Sequence, residues 1–205
     1  KLTADNISFV DYKDNPISIG KDSITVIKNT KIPSITNYQG YKQLKLENCN
    51  IAGINLTVPT TIEEINDTTL INNTLSNPIS FTPNIFSTAT IKNNTINKEN
   101  TAPIKLALLN ANENILDNIS NNTAPDIAKY TSIEISSFPE SFTLKKGAYY
   151  FSATTLKGVK NIQAGTCIKL SPNSDINLNG LINFNGTKEE PITITSTEDT
   201  GLNDE

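Results

Sequence analysis

A short pattern recurs along this chain and limits what it can fold into. Two apolar residues alternate with polar ones, two further residues follow, then comes Asn or Cys, and often another apolar residue. It is clearest in Leu44-Lys-Leu46-Glu-Asn-Cys49-Asn-Ile51 and in Ala89-Thr-Ile91-Lys-Asn-Asn94-Thr-Ile96. Weaker copies are Ile24-Thr-Val26-Ile-Lys-Asn29, Ile62-Glu-Glu-Ile65 running to Leu70, and Asn114-Ile115-Leu116-Asp117-Asn118-Ile119. The copies lie roughly 20–26 residues apart, a spacing expected of solenoids. A strand with period-two alternation buries one face only. One such coil cannot cover its own apolar side, so neighbouring coils must stack on it. An inward Asn or Cys at the corner then meets its equivalent in the next coil, and the amides can bond along the stack.

Other short β-type runs lie between the copies, such as Ile79-Ser-Phe81, Ile104-Lys-Leu106 and Ile133-Glu-Ile135. Pro and Asn punctuate them at Asn77-Pro78, Pro83-Asn84, Pro103, Pro125 and Phe138-Pro139. Two or three strands per repeat suit a β-helix better than a leucine-rich horseshoe, in which one strand alternates with a helical segment. The horseshoe stays open as an alternative for the first 130 residues or so. The best helical candidate is Ala107 to Ile119, and its Asn content argues against a long helix.

The last third carries a more specific order. Gly165-Thr-Cys167-Ile168-Lys-Leu170 and Ile176-Asn-Leu178 lead into Gly180-Leu-Ile182-Asn-Phe184. Gly186-Thr187 and Pro191-Ile192-Thr-Ile194-Thr-Ser196 follow. Over residues 145–197 this resembles secreted right-handed parallel β-helix repeat proteins, a class that includes microbial adhesin-like surface proteins. The resemblance implies an all-β, right-handed parallel β-helix (β-solenoid). It speaks to fold more than to activity. The expected organisation is irregular N-terminal solenoid coils over 1–138 and β-helix coils over 139–205, ending in an acidic, polar tail. Relatives of this kind usually continue with more coils after such a strand, so the sequence reads as a piece of something longer.

Composition narrows the function. There is no His, Trp or Met, and all positive charge is Lys; the net charge is −4. No basic cluster is present to neutralise phosphates, so nucleic acid is not expected as a partner. No apolar run approaches a membrane span. Pectin-cleaving hydrolases of β-helix type need His and Arg motifs that this sequence lacks, and His-based triads are excluded as well. The adjacent acids Glu63-Glu64 and Glu189-Glu190 do not set two carboxylates across a glycosidic bond, because neighbours on a strand point to opposite faces.

Calcium is the one cofactor left open, through Glu198-Asp199 and Asp204-Glu205, although no Asp-x-Asp-x-Asp-Gly loop exists. Cys49 and Cys167 are about five coils apart at roughly 4.8 Å each, too far for a disulfide, and are expected to be unpaired. The pair Tyr149-Tyr150 is expected to pack or cap rather than to serve as a carbohydrate platform.

About one residue in seven is Asn, so Asn-x-Ser/Thr triplets arise by composition alone. Asn55, Asn66, Asn118 and Asn185 are the glycosylation candidates. The residues expected to hold the core and ladder are Leu44, Leu46, Cys49, Ile91, Asn94, Ile96, Ile168, Leu170, Ile192 and Ile194. The sequence points to a non-catalytic extracellular or cell-surface protein, an adhesin-like stalk or filament subunit. Its expected partners are copies of itself, and host or environmental glycans or proteins. The rival reading is a carbohydrate-active lyase or hydrolase fragment, or a tailspike-like glycan binder.

Overall fold

The computed structural model describes residues 1–7, 16–152 and 155–201. The chain is an all-β, parallel β-solenoid of about eight turns. Each strand lies parallel to the corresponding strand of the coils before and after it. A six-stranded sheet contains Leu2–Asp5, Ile24–Lys28, Gln43–Glu47, Asn66–Ile71, Ser87–Lys92 and Ile119–Ser120. A narrow sheet of two-residue strands forms a second face, with Lys31–Ile32, Asn50–Ile51, Thr74–Leu75 and Thr95–Ile96. The third face is a nine-stranded sheet running from Ile17–Ser18 to Thr193–Ser196. With three strands per turn, the N-terminal coils are β-helix coils and not those of a leucine-rich horseshoe.

Alternation builds the core. In Gln43–Glu47, Leu44 and Leu46 are buried while Lys45 and Glu47 face outward. Strand register stacks Ile27, Leu46, Leu70, Ile91 and Ile119 in one column. A second column on the nine-stranded sheet runs Ile35, Ile54, Ile79, Ile104, Ile133, Tyr149, Ile168, Ile194. Each buried Ile or Leu contributes about 1.5–3 kcal/mol of transfer free energy. β-branched side chains suit such pleated stacks.

Two weak copies of the repeat sit differently from expectation. In Ile24–Lys28 the inward residues are Thr25 and Ile27, not Ile24 and Val26. That register brings Ile27 against Leu46, and a one-residue slip would turn the whole strand inside out. The Ile62-Glu-Glu-Ile65 stretch forms no strand, and Ile65 is exposed. The stretch Ala107 to Ile119 contains only a 3-10 turn at Glu113–Leu116, capped by the Asn112 side chain. A short α-helix follows at Ile127–Tyr130.

The cross-section changes beyond this insertion. From Ser141 onward the coils have two faces. The nine-stranded sheet continues, opposed by a three-stranded sheet of Ser141–Leu144, Thr155–Gln163 and Asn177–Asn185. Here the coils approach closely at a glycine column. A Cβ on Gly158 (φ +73°) would lie 2.1 Å from the Glu140 carbonyl oxygen, and one on Gly180 would lie 2.2 Å from that of Gly158. Only glycine tolerates both the backbone angle at Gly158 and the contact.

Candidate functional site

The most ordered polar feature of the molecule is inside it. At the corner between the six-stranded sheet and the narrow sheet, Asn29, Asn48, Asn72, Asn93 and Asn121 all have φ between 50° and 57°. This left-handed conformation favours Asn among non-glycine residues. It turns the next residue inward, giving the column Thr30, Cys49, Asn73, Asn94 and Asn122, every member of which is buried.

The column is a continuous hydrogen-bonded ladder. Asn122 Oδ1 accepts from the Asn94 backbone N–H at 3.1 Å and from Asn94 Nδ2 at 2.8 Å. Asn94 Oδ1 accepts the same pair from Asn73, at 3.0 and 2.9 Å. Asn73 Oδ1 accepts from the Cys49 N–H at 2.9 Å. Each amide also donates across a coil, Asn73 to Leu46 O, Asn94 to Leu70 O and Asn122 to Ile91 O. The bonded partners are 24, 21 and 28 residues apart, so the ladder keeps its contacts while coil length varies. Cys49 continues the column with its thiol toward Glu47 O at 3.3 Å, and burial pushes that thiol up from its ordinary pKa. Cys49 and Cys167 form no disulfide with each other.

Leu44, Leu46, Cys49, Ile91, Asn94 and Ile96 are therefore brought together in one interior. Ile168 joins the same core, and Leu170 and Ile192 pack against it half-buried. Ile194 is 46% exposed although it stacks on buried Ile168, because no described coil covers it. Leu178 and Phe184 are exposed on the same last coil for the same reason, above buried Leu156 and Ile162. Thr30, Asn73 and Asn122 were not singled out from the sequence. The available signal was the doublets Asn72-Asn73, Asn93-Asn94 and Asn121-Asn122, in which the first Asn turns the chain and the second bonds. Asn29 and Asn118, expected at the inward corner, are not on the ladder.

The glycosylation candidates divide. Asn66 is fully buried; its Oδ1 accepts from the Tyr41 N–H and its Nδ2 donates to Glu64 O. In the folded chain that amide is enclosed and committed to these bonds, unlike the other three candidates. Asn55, Asn118 and Asn185 are exposed.

Among the described residues, two lysines are buried. Lys160 points into the two-faced coils, where its ammonium donates to Glu140 O at 2.9 Å and to Lys157 O. Burial lowers its pKa, partly opposed by the Glu140 charge. Lys169 lies on the other face of the nine-stranded sheet from the core. Its Nζ donates to Ala128 O at 2.5 Å and Asp199 O at 2.7 Å, joining the short helix to the turn after the last strand. Tyr149 is buried and donates to Lys145 O, while Tyr150 meets the Tyr130 ring edge to face.

Among the described residues, no group of three or more His, Cys, Asp or Glu is placed to hold a metal ion. Asp204-Glu205 lie outside the described residues. Among the described residues, no helix is long and apolar enough to cross a membrane. On the outside of the nine-stranded sheet lies a groove of about 650 Å³. Its floor is a row of stacked outward residues, Thr36, Asn55, Ser80 and Lys105, and the 98–101 segment forms one wall. Comparison with family models, with curated proteins and with solved structures found no match.

Proposed function

We propose that this chain is a non-catalytic, extracellular structural rod, an adhesin-like stalk or filament subunit. One observation carries the reading: the buried polar groups are spent on holding coil to coil. The Asn ladder is closed from Cys49 to Asn122, and Lys160 and Lys169 are tied to backbone carbonyls. Among the described residues, Ser23 Oγ is the buried side-chain polar atom left without a partner. A site built for chemistry would hold polar groups in reserve.

Stacking of coil on coil between copies is the mode of assembly in this reading. Leu178, Phe184 and Ile194 present apolar surface that no described coil covers, the kind of face on which a further coil packs. The exposed Asn118 and Asn185 fit a surface decorated in an extracellular compartment. Calcium would act, in this reading, only on the acidic C-terminal residues.

Sedimentation and negative-stain imaging across a concentration series test the assembly. Rods that lengthen end to end are expected, and Phe184→Lys should stop the lengthening. Rods that stay single at all concentrations would remove the filament role. Turnover of uronic-acid polymers, with or without calcium, would overturn the non-catalytic reading.

A further inference from the structure

The outer groove has no part in coil stacking, and its lining points to a ligand class. Its floor carries hydroxyls and amides from successive coils, Thr36, Asn55 and Ser80, in strand register. Asn77 stands at its edge with its Nδ2 committed to Ala52 O, which leaves its side-chain oxygen as an acceptor. Gly53 contributes no side chain, so the space between Ser34 and Asn77 stays open. Beside the floor, the Tyr38 ring is 61% exposed, with its hydroxyl accepting from Asn55 Nδ2 at 3.4 Å.

Other ligand classes fit poorly. A polyanion needs several unpaired cations, but the lining holds two lysines only, Lys105, which is paired with Glu134 at 3.2 Å, and Lys98. An extended peptide binds a sheet through free backbone groups at its edge, whereas this groove lies on a sheet face whose backbone groups bond along the stack. An apolar ligand would leave the floor's hydroxyls and amides without partners.

We infer that this groove binds a neutral, extended glycan laid across successive coils, with Tyr38 as a stacking platform. Hydroxyl and amide side chains both donate and accept, as sugar hydroxyls require. An exposed aromatic ring offers the apolar face of a pyranose a flat surface. Coils rise by about 4.8 Å, close to the advance of one sugar unit in an extended chain, so equivalent floor residues meet successive units. The inference adds a ligand to the rod and does not depend on self-association.

The full chain, made without glycosylation so that Asn55 is unmodified, would be titrated calorimetrically with neutral hexose and N-acetylhexosamine oligomers. A polyuronate serves as the anionic arm. Saturable binding of a neutral oligomer is expected, strengthening with oligomer length. Tyr38→Ala and Ser80→Trp should each weaken it at least about tenfold, while Thr90→Ala, on the outside of the six-stranded sheet, should leave it unchanged. Tyr38 is exposed, so its replacement tests the groove even if Ser80→Trp fails to fold. Binding equal in all variants, no binding to the neutral oligomers, or binding of the polyuronate alone would overturn the inference. None of these outcomes bears on whether the rods associate end to end.

Discussion

Asn122 Oδ1 accepts two hydrogen bonds from one residue, Asn94, through its backbone N–H at 3.1 Å and its side-chain amide at 2.8 Å. The link fixes the corner and the side chain of one coil to the next. Replacing Asn94 by Asp removes the side-chain donor to both Asn122 Oδ1 and Leu70 O and introduces a buried charge. A loss of about 2–5 kcal/mol is expected in denaturant unfolding. The loss should shrink at low pH, where protonation of the introduced carboxyl restores one donor. An unchanged unfolding midpoint would disprove the ladder's contribution.

The outer face of the six-stranded sheet predicts a pH response. Glu47 accepts from Lys28 at 2.7 Å and Lys45 at 2.8 Å, and these two cations hold its carboxyl below the ordinary value of 4.5. A depressed folded-state pKa gives stability that is present above the unfolded value and lost as pH falls through the folded one. The wild-type chain should therefore lose more stability than Glu47→Gln as pH drops from about 6 to about 3. The difference should be small, because the pair is partly exposed and screened by solvent. Parallel urea midpoints for the two proteins across that range measure it; coincident slopes would refute it.

Lys169 predicts a local effect. Lys169→Met keeps the aliphatic stem but leaves Ala128 O and Asp199 O without their donor. A cost of about 1–3 kcal/mol is expected. The clearest readout is hydrogen exchange over residues 197–201, which should speed up while exchange at the Asn ladder stays as it was. Unaltered exchange in that turn would mean the lysine is buried there without holding it.

Gly158→Ala tests the close approach of the two-faced coils. The added carbon would sit 2.1 Å from a backbone oxygen that cannot rotate away. Melting should fall steeply, by more than the roughly 1 kcal/mol an Ala at a positive φ would cost by strain alone. A variant that melts with the wild type would show that these coils can separate freely.

Some of this architecture was legible in the residues. Leu44-Lys-Leu46 and Ala89-Thr-Ile91 carry their register openly, because a polar residue separates two apolar ones and only one face can be buried. Ile24-Thr-Val26-Ile27 does not, since apolar residues fall on both parities and the choice is made by the neighbouring coil. The second Asn of each doublet was visible as a corner residue at Asn94. Asn122 was hidden by the irregular segment before it, which lengthens the step to 28 residues. Asn66 looked like an accessible acceptor, but the triplet carries no information about burial. The groove was not legible at all. Thr36, Asn55 and Ser80 come together only through cross-coil register, and Tyr38 had no local signal apart from being aromatic.

The backbone hydrogen bonds between coils run along the rod and not across it. Tension on such a molecule is carried in series, one coil boundary after another. Each boundary that yields frees roughly twenty residues, which can extend by roughly 60 Å, whereas the intact coil spans about 4.8 Å. The two-faced coils carry one described Asn rung, from Asn183 Nδ2 to Asn161 Oδ1 at 2.8 Å, in place of the buried ladder and would yield first, leaving the laddered coils wound. A tether of this kind would lengthen in steps under load and hold its N-terminal part rigid until the last.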